Sequence, residues 1–362
     1  MHIHSACSDG GFTPRQIVEL AKVKGLKAIA ITDHDTVGGV AEAVAAGEEC
    51  GLEVVPAVEL SIKNEREKEF VELHLLGYFI DYQHEELHDI LDRIVQARID
   101  QKIRQIKVLQ DDGIDVSVEE VFSLVRGVPG RPHIAEVVMR RNPGRFASKE
   151  DLFAEYLTVD GKAYTGRTFS LTLAEAIPVV VKAGGVPVLA HPGAYDKVQD
   201  VEAMIRRAQE IGLQGLEIAY TYNKNRPHYG LTPVAMQNLM ARFEALADEL
   251  GLVKTGGSDF HGEGKDIELG EMGMSWAAFQ ELKTRCSSPC PTLLRSSSTG
   301  CAQEPQLSGR NSVIHSRSAH ASRAQICSER RKLKWVSWKG SAPCSRPTSM
   351  SSSTRLRTRR KC

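Results

Sequence analysis

Short apolar runs alternate with amphipathic segments along the first 284 residues. The runs predict six strands, at residues 28–32, 53–60, 72–80, 186–190, 215–219 and 252–257. Two intervening helices have clear start signals: Thr13 with Gln16, and Thr172 with Glu175, each have the spacing of a capping box. Strands that alternate with helices of this length are typical of parallel βα units, so the pattern predicts an α/β fold whose sheet could be open or closed.

The alternation stops at about residues 85–165. The segment from Leu87 to Gly113 has the period of one long amphipathic helix, and Ser117 with Glu120 caps a second. The stretch HIAEVVMRR predicts a third helix, and Ser148 is expected to start a fourth. We interpret this region as a helical insertion between two strands, of the kind that encloses a substrate site or supports a partner.

The charge of the chain is divided unevenly. Residues 1–284 contain 30 Lys and Arg against 44 Asp and Glu, whereas residues 285–362 contain 16 against two, together with 18 Ser and six of the eight Cys. The second part has no apolar period and is predicted to be a disordered or non-native tail after a domain at 1–284. A nucleic-acid-binding arm or a zinc site is a weaker interpretation, because the tail lacks a set of stacking aromatics and any CxxC pair.

The same features limit the location and the partners. No apolar run is long enough for a membrane span and no signal peptide is present, so we expect a cytoplasmic protein without a membrane partner. The acidic first 284 residues have no broad basic stripe, which argues against long nucleic acid as a partner. The sequence does not indicate the oligomeric state.

Histidines and carboxylates collect where the predicted strands end. In parallel βα folds, ligands bind at the carboxyl ends of the strands, so these side chains should converge. They are His34 in TDHD, Glu59 in AVELS, His74 in ELHLLGY, His191 in LAHPG, and Asp259 with His261 in GSDFHG.

The pairs His2 with His4 and Asp259 with His261 share a spacing of two residues. On an extended segment, side chains at this spacing point the same way, so each pair can bind one ion. A lone histidine is more often a packed or solvated residue, and we interpret His84, His88 and His228 in that way. Two such pairs together with four further strand-end residues predict a multinuclear metal site.

These residues resemble a known family. The motifs HIHSACSDG, ITDHDT, AVEL, HLLGY, GRPH, LAHPG and GSDFHG, in this order, are similar to those of the polymerase and histidinol phosphatase (PHP) family. The resemblance covers nearly all of residues 1–275. It implies a distorted seven-stranded β/α barrel and a site for two or three divalent ions, and it points to the subgroup that acts on nucleoside 3',5'-bisphosphates and on the 5' ends of short RNA.

The resemblance also implies a role for individual residues. Arg131 and His133 of GRPH would face the substrate phosphate, and His34, Asp259 and His261 would take part in catalysis. The implied metal ligands are His2, His4, Glu59 and Asp259 for a first ion; Asp9, His34 and His261 for a second; and His74 and His191 with a bridging Glu59 for a third.

The donor types are consistent with such a site. Imidazoles and carboxylates without thiolates suit borderline or harder ions, so we expect Mn²⁺ first and Zn²⁺ or Fe²⁺ as alternatives. Adjacent ions can lower the pKa of a bridging water and hold both the attacking and the leaving oxygen of a phosphoester. The sequence therefore predicts a phosphoric ester hydrolase that uses a metal-activated hydroxide on a small nucleotide or short oligonucleotide.

Three alternatives remain. A small-molecule phosphatase of the histidinol-phosphate type is disfavoured by the long insertion and by Asp9. Barrels that cleave amides usually centre on a modified lysine, and no Lys lies at these predicted strand ends. A metal-binding PHP module without activity is disfavoured because every implied ligand is present.

Overall fold

A six-stranded sheet forms the centre of the computed structural model, which describes residues 1–125, 127–262 and 266–286. Each strand pairs with the next one along the chain. The strands are β1 Ala28–Ile31, β2 Glu53–Ser61, β3 His74–Tyr78, β4 Val186–Leu189, β5 Gly215–Ala219 and β6 Val253–Gly256. All six predicted strands are therefore confirmed, with ends that differ by up to two residues.

The direction of β3 differs from the prediction. It pairs antiparallel with both β2 and β4, whereas the β1–β2, β4–β5 and β5–β6 pairs are parallel. His74 is consequently the first residue of its strand, and its placement at a carboxyl end was wrong. Because β3 is reversed, its beginning lies beside Ser61 at the end of β2, and His74 still reaches the expected edge of the sheet.

The first residues of the chain contact both edges of the sheet, next to β1 and next to β6. The carbonyl of Ile3 accepts a hydrogen bond from the N–H of Thr32, just after β1, at 2.8 Å. Ile3 also forms a parallel bridge with Phe260, which follows β6. The sheet is therefore curled so that one segment meets both of its edges. The resemblance implied a seventh strand. Among the described residues, only this single bridge forms at that position.

Ten α-helices surround and extend the sheet in the described parts of the chain. They are α1 Pro14–Val23, α2 Val40–Cys50, α3 Glu85–Asp111, α4 Val118–Ser123, α5 Arg131–Arg141, α6 Lys149–Leu152, α7 Leu173–Lys182, α8 Val201–Glu210, α9 Pro233–Leu250 and α10 Trp276–Thr284. Both predicted capping boxes, at Thr13 and Thr172, are formed. None of these helices has the length and apolar character needed to span a bilayer.

Successive residues of a strand face two different apolar cores in turn, as expected for strands that are covered on both faces. Ile29, Val58 and Leu75 face a large core shared with the surrounding helices. Ala30 and Leu76 face a second, smaller core to which α10 contributes. The metal-ligand candidates lie at one end of this arrangement, where β1, β4 and β6 have ended, β2 is about to end and β3 begins.

The predicted insertion has a core of its own. Residues of α3, α4 and α5 pack together through Leu109, Val121, Ile134 and Val138. The fourth predicted helix is short, because α6 ends at Leu152 and the chain continues in a π-helical turn. The tail predicted for 285–362 lies outside the described residues except for its first two, and the boundary at 284 coincides with the end of α10.

A buried ion pair joins the insertion to the sheet. Asp35 follows β1, is fully buried, and accepts a hydrogen bond from Arg98 of α3 at 2.5 Å. Its other carboxylate oxygen accepts the backbone N–H of Ser61 at 2.8 Å. Burial acts to raise the pKa of Asp35, but Arg98 and Arg167 outweigh it and hold that pKa below its usual value.

Replacing Asp35 should therefore destabilise the protein. We expect Asp35→Asn to lower the free energy of unfolding by about 3–5 kcal/mol, because it leaves the buried guanidinium of Arg98 without its counter-charge. Urea denaturation measures this change. Asp92→Asn, on the exposed surface of α3, is the control and should change stability by about 0.5 kcal/mol or less. Equal stability of the two variants would contradict the linking role.

Candidate metal centre

The N-terminal segment is held in place by backbone and side-chain hydrogen bonds. The N–H of His4 donates to the carbonyl of Phe260 at 2.8 Å. Asp33 accepts the N–H and the hydroxyl of Ser5, at 2.7 and 2.5 Å, and the hydroxyl of Ser8 at 2.5 Å. His2 and His4 are both buried. The segment at which the chain begins is thus fixed to both edges of the sheet.

Glu59 occupies the centre of the site. Its side chain is 1% exposed and its two oxygens face five imidazoles from four parts of the chain. Its oxygens lie 3.3 Å from His2 Nε2, 3.2 Å from His4 Nε2, 3.0 Å from His34 Nδ1, 2.9 Å from His74 Nδ1 and 3.5 Å from His191 Nε2. One carboxylate therefore touches every strand-end histidine of the prediction except His261.

Two aspartates complete the cluster. Asp259 Oδ1 lies 3.1 Å from His4 Nε2 and 3.5 Å from His261 Nδ1. Asp9 Oδ1 lies 3.6 Å from both His4 Nδ1 and His261 Nε2. The structure thus brings all nine predicted ligands into one cluster.

The ligand atoms form four overlapping groups, and within each group they lie within 4.8 Å of one another. None of these groups of described residues contains a thiol. The groups are His4, Asp9, His34 and His261; His2, Glu59 and His191; His2, His4 and Asp259; and His34, Glu59 and His74.

The histidine tautomers are consistent with metal binding. His2 Nδ1 lies 3.0–3.1 Å from both oxygens of Glu217, so this nitrogen carries the proton and Nε2 presents its lone pair to the cluster. His261 Nδ1 donates to the backbone carbonyl of Asp259 at 2.9 Å, which leaves its Nε2 as the lone pair that faces Asp9. An outer acceptor of this kind commonly orients a metal-bound imidazole.

Several buried polar atoms in the cluster have no hydrogen-bond partner with suitable geometry among the described residues. They are His2 Nε2, both ring nitrogens of His4, His34 Nδ1, His191 Nδ1 and Glu59 Oε2. A buried polar atom without a partner costs about 1–3 kcal/mol. All of these atoms belong to residues of the four groups above, so the donor set fits divalent ions that bind nitrogen and oxygen.

The charges of the cluster are strongly coupled. Burial acts to raise the pKa of Glu59, but the imidazoles of His34, His2 and His74 outweigh it and hold that pKa well below its usual value. Burial acts to lower the pKa of His4, and the nearby carboxylates of Asp259 and Glu59 reverse this and raise it to about 10. A ring nitrogen must lose its proton before it can bind a metal ion, so ions and protons compete for the same atoms.

The backbone is strained where two of the predicted ligands lie. His191 has a φ of 28° and Asp259 a φ of 53°, in a region that non-glycine residues rarely adopt. Such conformations cost about 1–3 kcal/mol each and persist where the surroundings impose them. Here His191 faces Glu59 after the end of β4, and Asp259 faces His4 after the end of β6.

The two predicted phosphate-binding residues lie at the start of α5. Arg131 Nη1 lies 2.9 Å from Glu72 Oε1 and donates to the carbonyl of Leu157 at 3.1 Å. His133 Nδ1 accepts the N–H of Gly130 at 3.1 Å. Burial lowers the pKa of His133, and the charge of Asp9 opposes this. The two side chains therefore lie beside the cluster and are not part of it.

Sequence reasoning missed Glu217 of β5. This carboxylate is fully buried, receives His2 Nδ1–H, and accepts the backbone N–H of His191 at 2.9 Å. The signal in the sequence was an acidic residue inside the otherwise apolar strand GLEIA. Tyr220 was missed too, and its hydroxyl donates to Asp259 Oδ2 at 3.0 Å.

Comparisons with known proteins identify the family of this chain. The PHP domain family model matches residues 1–159. A 3',5'-nucleoside bisphosphate phosphatase of Chromobacterium violaceum is 30% identical over 268 residues, which cover 73% of this chain and 87% of that protein. This chain belongs to the PHP family.

Two further relatives support this assignment. A 5'-3' exoribonuclease of Haemophilus influenzae is 28% identical over 272 residues, which cover 75% of this chain and 92% of that protein. A solved structure from Bifidobacterium adolescentis, described as a candidate metal-dependent phosphoesterase, matches with a TM-score of 0.66 and 30% identity. That match covers 79% of this chain and 96% of the solved chain. The PHP relationship thus extends well beyond the region matched by the family model.

Glu217 should control metal affinity through His2 and His191. We expect Glu217→Gln to weaken Mn²⁺ binding about 10–100-fold, because the amide carries no negative charge to hold the His2 proton on Nδ1. Competition with a fluorescent chelator measures the affinity, and thermal unfolding of the metal-free variant reports on its fold. Glu210→Gln, exposed at the end of α8, is the control. Equal affinities in the two variants would refute the positioning role.

Proposed function

We propose that this PHP-family chain is a metal-dependent phosphoesterase that removes phosphate from nucleotides, with 3',5'-nucleoside bisphosphates and the 5' ends of short RNA as its substrates. The observation that carries the proposal is the buried Glu59 carboxylate, which is faced by ring nitrogens of His2, His4 and His34 that have no suitable hydrogen-bond partner among the described residues. The names of the two relatives, a bisphosphate phosphatase and an exoribonuclease, support the substrate class.

The burial of the ligands indicates the side from which substrate enters. His2, His4 and Glu59 have side chains that are at most 1% exposed and form the floor of the cluster. His34, His74 and His261 have side chains that are 13%, 28% and 16% exposed and form its rim. We infer that the substrate phosphate approaches the rim, where it meets His34 and His261.

We infer the following ligand sets for two or three ions. His4, Asp9, His34 and His261 would hold one ion, and His2, Glu59 and His191 would hold another. Asp259 forms a further group with His2 and His4, and His74 forms one with His34 and Glu59, so both residues adjoin these two sets. Mn²⁺ suits this mixture of nitrogen and oxygen donors, and Zn²⁺ and Fe²⁺ are the alternatives. When bound, such ions supply Lewis-acid polarisation of the phosphate oxygens and a water of lowered pKa.

The side chains of the protein would position and bind the substrate phosphate. His34, Asp259 and His261 would fix the position of the reacting phosphorus relative to the nucleophile, because they lie between the floor of the cluster and solvent. Arg131 and His133, at the start of α5, would bind phosphate oxygens from the side of the insertion. A guanidinium can form two charge-assisted hydrogen bonds to a phosphate, which orients as well as attracts it.

Removal of His34 tests the proposal. With Mn²⁺ present, we expect the protein to release phosphate from adenosine 3',5'-bisphosphate, and His34→Ala to reduce kcat/KM about 100-fold or more. A loss of that size corresponds to about 3 kcal/mol of transition-state stabilisation. His88→Ala is the control, since it removes an exposed imidazole that contacts only the Tyr82 carbonyl among its described hydrogen bonds.

Three outcomes would count against the proposal. Equal activity of His34→Ala and the unaltered protein would contradict it. Turnover of histidinol phosphate but not of the bisphosphate would favour the small-molecule phosphatase. Full metal loading without turnover of either compound would favour a module without activity.

A further inference from the structure

Glu72 connects two segments that border the metal centre. Its Oε1 lies 2.9 Å from Arg131 Nη1, and the two side chains are 32% and 36% exposed. Glu72 stands two residues before His74, whose Nδ1 lies 2.9 Å from Glu59 Oε1. Arg131 is the first residue of α5. One carboxylate therefore joins the segment that leads into β3 to the predicted phosphate-binding end of the insertion.

The backbone before α5 lies against a predicted metal ligand. A methyl group on Gly130 would come within 3.2 Å of Asp9 Oδ2, so this glycine approaches the carboxylate closely. The Gly130 N–H donates to His133 Nδ1 at 3.1 Å, which closes the first turn of the helix. Arg131 is the next residue of the chain, so its side chain starts beside the metal centre.

The contacts of Arg131 involve one nitrogen of its guanidinium. Nη1 lies at ion-pair distance from Glu72 and also donates to the carbonyl of Leu157 at 3.1 Å. Among the described residues, Nε and Nη2 form no hydrogen bond or ion pair. These two nitrogens form the edge of a guanidinium that can donate two parallel hydrogen bonds to a phosphate. Glu72 and Leu157 therefore hold the group and leave a phosphate-binding edge free.

The position of Glu72 is itself fixed by its surroundings. Its φ is 55°, which non-glycine residues rarely adopt, and its N–H donates to Asn64 Oδ1 at 2.8 Å. The Asn64 amide donates in turn to the Tyr164 hydroxyl at 3.1 Å. An ion pair as exposed as that of Glu72 with Arg131 contributes little to stability. Its geometry is better explained by the orientation of the guanidinium than by the stability of the fold.

We propose that Glu72 is a positioning residue for Arg131, which holds the guanidinium by Nη1 so that the edge formed by Nε and Nη2 receives the substrate phosphate. This inference rests on the proposed function, because it takes Arg131 as a phosphate-binding residue. A long, partly exposed side chain loses rotamer freedom when it binds a ligand, and this loss lowers the affinity. Glu72 orders the side chain before the phosphate arrives.

The sign of the effect separates positioning from competition. A carboxylate that only competed with phosphate for Arg131 would weaken phosphate binding, so its removal would strengthen that binding. A carboxylate that orients Arg131 strengthens phosphate binding, so its removal weakens it. The two roles of Glu72 therefore predict opposite changes in the same dissociation constant.

Calorimetric titration of inorganic phosphate into Mn²⁺-loaded protein measures this constant without turnover. We expect Glu72→Gln to raise Kd about 3–10-fold, because the amide keeps the shape of the side chain but not the charge that holds the guanidinium. Glu69→Gln is the matched control and should leave Kd unchanged. Glu69 belongs to the same segment between β2 and β3, has a φ of 59°, is 29% exposed and lies 3.2 Å from Arg207.

Three results of this titration would contradict the positioning role. One is tighter phosphate binding by Glu72→Gln than by the unaltered protein. Another is a Kd for Glu72→Gln equal to that for Glu69→Gln. The third is the absence of phosphate binding by the unaltered protein.

A double-mutant cycle shows whether Glu72 acts through Arg131. Arg131→Met should weaken phosphate binding more than Glu72→Gln does, and the addition of Glu72→Gln to Arg131→Met should change Kd no further. A structural role would lower the Tm and weaken binding in both backgrounds, and that result would overturn the proposal. Weaker Mn²⁺ binding by Glu72→Gln would overturn it as well, since the residue would then act through His74.

Turnover separates this inference from the proposed function. With Mn²⁺ and adenosine 3',5'-bisphosphate, Glu72→Gln should raise KM about 3–10-fold and change kcat less than KM. If the unaltered protein does not hydrolyse the bisphosphate, the proposed function fails, and the phosphate titration still decides the role of Glu72. If hydrolysis occurs and Glu72→Gln has the same KM as Glu69→Gln, the function stands and the role of Glu72 is refuted.

Discussion

The contact of the buried Glu59 carboxylate with five imidazoles is the constraint on which the rest of the structure depends. These histidines come from the N-terminal segment and from the ends of three strands, so parts of the chain up to 189 residues apart meet at one carboxylate. Divalent ions would satisfy the inward-facing nitrogens that hydrogen bonds do not. Ion binding would therefore stabilise the fold as well as supply its chemistry.

The residues around this centre fix the segments that carry the metal-ligand candidates. Hydrogen bonds from Ser5 and Ser8 to Asp33 fix the N-terminal segment, and Glu217 orients His2 by accepting a hydrogen bond from its Nδ1. The ion pair of Asp35 with Arg98 fixes the insertion against the ends of β1 and β2. The same pair holds α3 of the insertion beside the strand ends that carry the metal-ligand candidates.

Much of this arrangement was predictable because it depends on local pattern. The capping boxes at Thr13 and Thr172 have fixed spacings, and the spacing of His2 and His4 determines that both side chains point the same way on an extended segment. The direction of β3 was not predictable, because a buried strand has the same apolar run in either direction. His74 was thus assigned to the correct edge of the sheet, although the prediction assumed the opposite direction for β3.

Residues that act through distant partners also escaped prediction. Glu217 pairs with a histidine 215 positions away, and Tyr220 donates to Asp259 on the segment after another strand. Neither role follows from spacing, because each depends on which other segment covers the side chain. A charged residue inside an apolar strand was the one local signal, and it applied to Glu217 alone.

Anomalous diffraction from crystals grown with Mn²⁺ tests the central claim most directly. Data collected at the manganese absorption edge should show at least two peaks, one among His4, Asp9, His34 and His261 and another among His2, Glu59 and His191. Peaks confined to other parts of the molecule, or no peaks at all from protein saturated with Mn²⁺, would contradict the account.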